Sequence, residues 1–174
     1  EVISFAEIIL HSNMASFEIV GGKKLAGEVI PQGAKNEALQ IISAVLLTPE
    51  KVVISNIPNI RDVMKLIELL GAMGVSVEKI DNNTYAFEAK NVNLEYLLTE
   101  DFKKKGGALR GSIMIIGPLL ARFGVAYIPE PGGDKIGRRP VDTHLRGFEN
   151  LGATFEHMKD ERFFIRPRKC SFLQ

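Results

Sequence analysis

An α/β fold of the mixed α+β type, built from two copies of one repeated unit, is the architecture that the sequence predicts. Apolar residues recur at helical spacing in several segments, which indicates helices with one buried face. Short runs rich in Val, Ile and Phe stand between these segments and are read as strands. The order helix, strand, helix, strand, strand occurs twice, so we expect mixed sheets with helices packed on them.

The first repeat is expected over residues 34–93. Its second helix has a clear pattern, because four apolar side chains fall on one face, namely Val63, Leu66, Ile67 and Leu70. A turn at residues 81–83 separates its last two strands. The predicted elements are a helix over 34–47, a strand over 52–55, a helix over 61–73 and strands over 75–79 and 84–89.

The second repeat is expected over residues 94–174. Its first helix is apolar on nearly all sides, which predicts burial, and Pro118 is expected to kink it. The predicted elements are a helix over 109–121, a strand over 125–128, a helix over 141–151 and strands over 154–157 and 163–166.

The offset between the two repeats changes along the chain. Val52 matches Val125 at an offset of 73 in the numbering, whereas Val63 matches Val141 at an offset of 78. Five residues are therefore inserted between the strand and the second helix of the second repeat. Loops between packed elements are usually short. A unit that is lengthened at one loop suggests a function for that loop, which covers residues 130–140.

The N-terminal region is expected to contribute little to this core. Residues 1–14 are interpreted as a leader outside the fold, since the short apolar run 3–10 lacks the basic start of a signal peptide. Residues 15–33 are expected to form a hairpin, with 17–22 and 25–30 as its two strands.

Composition argues against several classes of protein. The 174 residues carry a net charge of +1, so no global charge calls for nucleic acid. No apolar run approaches the ~18 residues of a membrane span, so we expect no membrane partner. Aromatic residues amount to 7%, which is sparse for a platform that stacks single-stranded nucleic acid. The single cysteine, Cys170, has no metal-ligand spacing around it and fits a reducing cytoplasm.

A glycine-rich stretch over residues 131–140 offers chemistry for an anionic ligand. It places a carboxylate, Asp134, before two guanidinium groups, Arg138 and Arg139, which suit phosphate or carboxylate. Between residues 101 and 146, nine basic side chains stand against four acidic ones. A tight surface turn with a solvated charge cluster is the plain alternative.

The start of the first helix is the second candidate for an anion site. Helix starts favour anions. Lys35 lies there although a cation is disfavoured in the first turn, which suggests an anion that neutralises it. An exposed lysine that tolerates this small cost is the alternative, and Asn36 is either a ligand or a helix cap. Arg110 opens the matching helix of the second repeat, so we expect Lys35, Arg110 and Arg139 to share one cavity.

Several motifs occur in one order between residues 17 and 155. They are Gly21-Gly22 with the run 25–29, Gly33-Ala34-Lys35-Asn36, Arg110-Gly111-Ser112 with the run 117–124, Pro131-Gly132-Gly133, Ile136-Gly137, and Arg139-Pro140-Val141-Asp142 with His144. In this combination the chain resembles the UDP-N-acetylglucosamine enolpyruvyl transferase family. Each motif alone is weak, whereas the combination is specific.

The resemblance implies an activity and a fold. The family joins phosphoenolpyruvate to the 3-hydroxyl of UDP-N-acetylglucosamine and releases phosphate, the first committed step of peptidoglycan synthesis, without a metal or an organic cofactor. It implies a cytoplasmic enzyme of βαβαββ-type units arranged as an inside-out α/β barrel, of which this chain would hold two. The C-terminal part of the same enzyme would be missing, so we expect the chain alone to be inactive.

The resemblance also implies roles for individual residues. Asp134, Lys35 and Arg139 would be catalytic, and the loop around Asp134 would close over the cleft. Most family members carry Cys where this chain has Asp134, and fosfomycin alkylates that Cys, so we expect insensitivity to the drug. The residues that would bind phosphoenolpyruvate and the sugar nucleotide are Lys35, Asn36, Arg110, Arg139, Pro140, Val141, Asp142 and Thr143.

Two alternatives stay open. Enolpyruvylshikimate-phosphate synthase shares the fold and the chemistry, although the Pro140-Val141-Asp142 segment favours the UDP-sugar enzyme. A non-catalytic sugar-nucleotide-binding paralogue would fit Asp134 in place of Cys, although the retention of the three cations argues against it.

Overall fold

The computed structural model describes residues 20–22, 24–129, 141–157 and 162–167. The chain divides into two compact units, Glu1–Pro31 and Gln32–Gln174. Within the described part, no helix is long and apolar enough to span a bilayer.

The first unit differs from the sequence-based expectation. Its described residues, 20–22 and 24–31, contain no strand, so the expected hairpin is not formed there. Leu25, Val29 and Ile30 are exposed, with 85%, 89% and 84% of their surface accessible. A two-stranded hairpin is marginal unless one of its faces is buried, and these side chains provide no buried face. The expected leader over residues 1–14 lies outside the described residues.

The second unit contains the two repeats in the predicted order, with additional elements between them. The first repeat comprises α1 (Lys35–Ala44) with a 3-10 segment (Val45–Leu47), β1 (Lys51–Ile54), α2 (Arg61–Ala72), β2 (Ser76–Lys79) and β3 (Tyr85–Glu88). A 3-10 segment (Glu95–Leu98) and α3 (Glu100–Gly107) follow. The second repeat comprises a 3-10 segment (Arg110–Ile115), α4 (Ile116–Phe123), β4 (Ala126–Pro129), α5 (Asp142–Asn150), β5 (Ala153–His157) and β6 (Arg162–Pro167).

Each repeat forms one three-stranded sheet, with the orders β1-β3-β2 and β4-β6-β5. Every hydrogen-bonded pair among these described strands is antiparallel, so the expectation of mixed sheets is wrong at the level of neighbouring strands. The third strand of each repeat lies between the first two. A tight turn makes β2 and β3 neighbours in the first sheet, and in it the amide of Ile80 donates to the carbonyl oxygen of Thr84 at 2.9 Å.

The strand register corrects the alignment of the repeats by one residue. Val52 is opposite Phe87 in the first sheet, and Ala126 is opposite Ile165 in the second. Phe87 and Ile165 are related by the offset of 78 that the repeat predicts, so Ala126 rather than Val125 is the counterpart of Val52. Alternate residues of a strand point to opposite faces. Since Val52 packs against the core and Ala126 is fully buried, the two share a face, and the strand offset is 74.

Helix α3 was not predicted. Its two glycines at 106–107 have low helix propensity and read as a loop. Packing overrides that preference, because a Cβ on Gly106 would lie 3.0 Å from Cγ of Pro129. Two signals could have found the helix: Thr99 caps it by accepting a hydrogen bond from the amide of Phe102 at 3.2 Å, and Lys104 and Lys105 lie in its last turn, where cations are favoured.

The predicted helix over 109–121 is formed in two parts. Residues Arg110–Ile115 are 3-10, and the α-helix begins only at Ile116. Pro118 therefore lies in the first turn of α4, where a missing amide hydrogen removes no intrahelical bond, so proline is tolerated there. Gly124 ends the helix in the left-handed region, with φ of 69°.

One hydrophobic core joins the two repeats. It includes fully buried side chains from both, among them Leu46, Leu70, Ile115 and Leu119. Arg122 of α4 adds a polar link to the first repeat. Its Nη1 donates to the carbonyl oxygen of Leu46 at 3.1 Å and to that of Ala89 at 2.8 Å. These contacts hold α4 of the second repeat against the first repeat.

Candidate active site

A cleft of about 670 Å³ lies in the second unit where several element starts meet. The first turns of α1 and α2, the start of the 3-10 segment of the second repeat, and the first turn of α5 all contribute to its walls. Helix starts expose amide hydrogens and carry partial positive charge. The cleft is therefore favourable to anions even before its side chains are considered.

The cleft brings together four of the residues expected to bind substrate, Lys35, Asn36, Arg110 and Val141. Asp142 and Thr143 lie in α5 directly after Val141 and are exposed, but they do not line the cleft. Asn36 is not the cap of α1, because the cap position is Ala34 and no side chain caps that helix. Asp134, Arg138, Arg139 and Pro140 lie outside the described residues.

The charges around the cleft are strongly biased. Four cationic side chains line its described part, Lys35, Arg61, Lys65 and Arg110. Among the described lining residues, Asp62 is the single carboxylate. A concave surface with this excess of positive charge concentrates anions.

Lys35 already has an ionic partner in the structure. Its Nζ lies 3.0 Å from Oδ2 of Asp62, and the two side chains are 43% and 41% exposed. The sequence suggested that a cation in the first turn of α1 needs an anion to neutralise it. The structure supplies one from the first turn of α2, where a carboxylate is favoured by the helix dipole.

A glycine contact holds the starts of α1 and α2 together. A Cβ built on Gly33 would lie 2.1 Å from the carbonyl oxygen of Asn56, so only glycine fits there. Asn56 itself is in the left-handed region, with φ of 58°, which asparagine tolerates better than most residues. These two loops precede Lys35 and Arg61, so the residues just before the two cations are in close contact.

A second close approach places the second repeat against α1. A Cβ on Gly111 would lie 3.0 Å from Cδ1 of Leu39. The 3-10 segment therefore packs directly on α1, and Arg110, next to Gly111, is carried to the cleft. On its buried side, the Ser112 hydroxyl lies 2.8 Å from the carbonyl oxygen of Gly106 and 2.7 Å from that of Leu109.

Helix α3 is anchored to α2 by a polar network away from the cleft. Nζ of Lys105 lies 3.1 Å from Asp101 and 3.5 Å from Glu68 of α2. The Tyr96 hydroxyl donates to Asp101. Hydrogen bonds from Tyr96 and Lys105 lower the pKa of Asp101, whereas burial and the bond to Asp101 raise the pKa of Tyr96 to about 12.

Sequence reasoning missed three charged residues of the cleft, Arg61, Asp62 and Lys65. A signal for the first was present, since Arg61 and Arg139 are related by the same offset of 78 that relates Val63 to Val141. The repeat thus carries a basic residue at Arg61, the first residue of α2, and at Arg139, shortly before α5. No group of three or more His, Cys, Asp or Glu side chains that could hold a metal occurs in the described ranges.

Comparison with known proteins relates the chain to enolpyruvyl transferases. It is 57% identical over 147 residues to a Porphyromonas gingivalis protein and 59% identical over 144 residues to a Bacteroides thetaiotaomicron protein, both named UDP-N-acetylglucosamine 1-carboxyvinyltransferase. These alignments cover 84% and 83% of the chain but 34% and 33% of the relatives, so the chain spans about a third of their length.

The fold is shared with a crystal structure of the enolpyruvyl transferase NikO from Streptomyces tendae. The TM-score is 0.66 at 22% identity, over 86% of this chain and 32% of that one. A sequence profile of the EPSP synthase (3-phosphoshikimate 1-carboxyvinyltransferase) family matches residues 19–165. With most of its length matched by that profile, the chain belongs to the EPSP synthase family.

Proposed function

We propose that this chain is part of an enzyme that transfers the enolpyruvyl group of phosphoenolpyruvate to the 3-hydroxyl of UDP-N-acetylglucosamine and releases phosphate. The observation that carries the proposal is the cleft in which Lys35, Arg61, Lys65 and Arg110 surround a space of about 670 Å³. Both proposed substrates are anionic at neutral pH. The names of relatives 57% and 59% identical supply the identity of the sugar nucleotide.

The proposed reaction is an addition followed by an elimination. A proton adds to the methylene carbon of phosphoenolpyruvate while the sugar 3-hydroxyl oxygen, losing its proton, bonds to the neighbouring carbon. The tetrahedral adduct then loses phosphate together with a proton from the former methylene carbon, and the double bond returns. Anionic groups persist throughout, so cations that are already in place stabilise the charged intermediates.

Lys35 and Arg110 are the proposed binders of the small acid within the described part of the cleft. Asn36 and Val141, which also line it, are proposed to contact substrate. Arg139 and Pro140, with Asp142 and Thr143 at the start of α5, complete the proposed binding set. Lys35 and Arg139 are the proposed catalytic cations. Arg139 and Pro140 are assigned from sequence alone.

Asp134 is the proposed proton donor to the methylene carbon. An aspartic acid serves this role if nearby phosphate charge and burial raise its pKa above the ~3.9 of a free side chain. The same residue is the reason to expect insensitivity to fosfomycin, because a carboxylate replaces the thiol that the drug alkylates in most of the family.

The proposal assigns the enzyme to peptidoglycan precursor synthesis in the cytoplasm, and hence to growth of the cell wall, cell shape and cell division. No metal or organic cofactor takes part in the proposed mechanism. The 174-residue chain spans about a third of its relatives, and we propose that it needs the remaining part of the enzyme for turnover.

Two further functions compete with this proposal. The family's name is that of the 3-phosphoshikimate enzyme, which also uses phosphoenolpyruvate. The identity of 57% to a relative named for the UDP-sugar substrate favours the UDP-sugar reaction. A non-catalytic binding protein would retain affinity for the sugar nucleotide without releasing phosphate.

Two assays separate the three functions. Calorimetry on a longer form that includes the C-terminal part would compare the binding of UDP-N-acetylglucosamine with that of shikimate 3-phosphate. Phosphate release from phosphoenolpyruvate would then be followed with each acceptor. We expect release with the UDP-sugar only, and loss of that release in Arg110→Met. Release with shikimate 3-phosphate, or binding without release, would refute the proposal.

A further inference from the structure

The ion pair between Lys35 and Asp62 has a consequence for ligand binding. Asp62 is the one carboxylate among the described residues that line the cleft. It forms an ion pair with Lys35, the cation that is expected to bind a substrate anion. The Nζ to Oδ2 distance of 3.0 Å means that a direct hydrogen bond occupies one of the three ammonium donors of Lys35. A ligand anion that binds Lys35 meets this carboxylate first.

We propose that Asp62 is an internal competitor for Lys35, which a phosphate-bearing ligand has to displace. Both side chains are about two-fifths exposed, so water and ions reach the pair. Ion pairs of this exposure are weak. A ligand that carries more negative charge, such as a phosphate dianion, therefore displaces Asp62 from Lys35, whereas a weakly charged anion does not. The choice of phosphate as the ligand rests on the proposed function.

The carboxylate of Asp62 remains stabilised after a ligand has displaced it from Lys35. Asp62 lies in the first turn of α2, where the helix dipole stabilises a carboxylate that has no other partner. Arg61 and Lys65, on the same helix, also line the cleft. Lys35, for its part, stays at the start of α1, which the contact between Gly33 and Asn56 fixes. The exchange thus requires only a side-chain movement, not a change in the backbone.

The test is the affinity of the 174-residue chain for inorganic phosphate, measured by calorimetry at low ionic strength. Asp62→Asn is expected to bind phosphate at least about threefold more tightly than the wild type, which is what removal of one charge about 6 Å from the anion gives at the dielectric constant of water. The gain should shrink at high salt. Glu68→Gln is the matched control, because Glu68 pairs with Lys105 and does not line the cleft. It should leave the affinity unchanged.

A double-mutant cycle separates competition from a general charge effect. In a Lys35→Met background, the gain in phosphate affinity from Asp62→Asn should fall below about half of its value in the wild type, because Asp62 competes with phosphate for Lys35. Asp62→Ser, which is also compatible with the first turn of a helix, should repeat the result if Asp62→Asn does not fold.

Three results overturn the inference. They are an unchanged or weaker affinity in both Asp62 variants, the same gain with and without Lys35, and the absence of phosphate binding in every variant. Failure of the proposed function appears differently, as phosphate binding without any transfer to the UDP-sugar in the longer enzyme.

Discussion

Replacement of Gly33 by alanine tests whether the cleft depends on the contact between the loops before α1 and α2. The new Cβ would lie 2.1 Å from the carbonyl oxygen of Asn56 and 3.3 Å from Cδ of Pro58. An ordinary contact needs at least 3.4 Å, so the two loops have to move apart. Overpacking of this kind costs about 1–3 kcal/mol of folding stability.

The same displacement should reach the site. Lys35 follows Gly33 by two residues, and Asp62 lies in the first turn of α2, on the other side of the contact. A misplacement of about 1 Å in a positioning element can lower a rate by about 100-fold. We therefore expect Gly33→Ala to weaken phosphate binding by the chain and to lower turnover by the longer enzyme, even though residue 33 carries no functional group.

The matched control is Gly71→Ala in α2. A Cβ there meets nothing within 4 Å, and alanine is favoured over glycine inside a helix by about 1 kcal/mol. The two substitutions should thus change the free energy of unfolding in opposite directions. Urea denaturation measures both, and calorimetry measures phosphate affinity. A Gly33→Ala protein as stable as the wild type, with equal phosphate affinity, would contradict the argument.

Three further outcomes are expected. Arg122→Met should destabilise the chain by about 1–3 kcal/mol in urea denaturation, because it leaves two carbonyl oxygens of the first repeat without their donor. Phe102→Ala should cost about 3–5 kcal/mol, since this side chain is fully buried; a loss below about 1 kcal/mol would show that α3 does not pack as described. The pKa of Tyr96 is raised to about 12 and that of Asp101 is lowered. The stability that Tyr96 contributes is therefore present below pH ~10 and is lost as the pH rises towards about 12. The stability that Asp101 contributes is present above pH ~4 and is lost on acidification. Unfolding measured across pH should therefore show both losses flattened in Tyr96→Phe, and an unaltered profile would contradict the network.

The elements whose signal is local were predictable from the sequence. The apolar face of α2 and the turn before β3 depend on neighbours along the chain. Helix α3 was missed because its glycines lower the helix propensity, whereas Gly106 packs against Pro129, a residue distant in the sequence. The strand register was misjudged by one residue because matching of Val52 with Val125 used residue identity, whereas the sheet aligns residues by the face they bury.

The residues of the site also divide into those that a local pattern predicts and those that depend on contacts between distant segments. Lys35, Asn36 and Arg110 could be predicted, because each lies at or near a helix start and belongs to a motif. The pairing of Lys35 with Asp62 joins residues 27 positions apart, and no local pattern indicates which carboxylate meets which cation. Arg61 and Lys65 were missed for a different reason. They lie on a helix whose apolar face was the informative feature, and its polar residues belong to no motif.

The duplication alone does not explain how the cations meet. At the offset of 73 that relates the first helices of the two repeats, Ala108 rather than Arg110 corresponds to Lys35. Arg110 also begins a 3-10 segment, whereas Lys35 begins an α-helix. The two residues share a cleft because Gly111 lets the 3-10 segment lie directly on Leu39 of α1. The repeated scaffold thus supplies the core and holds Lys35 and Arg61 at the cleft, and a departure from the repeat adds Arg110 to the charges on which the proposed chemistry depends.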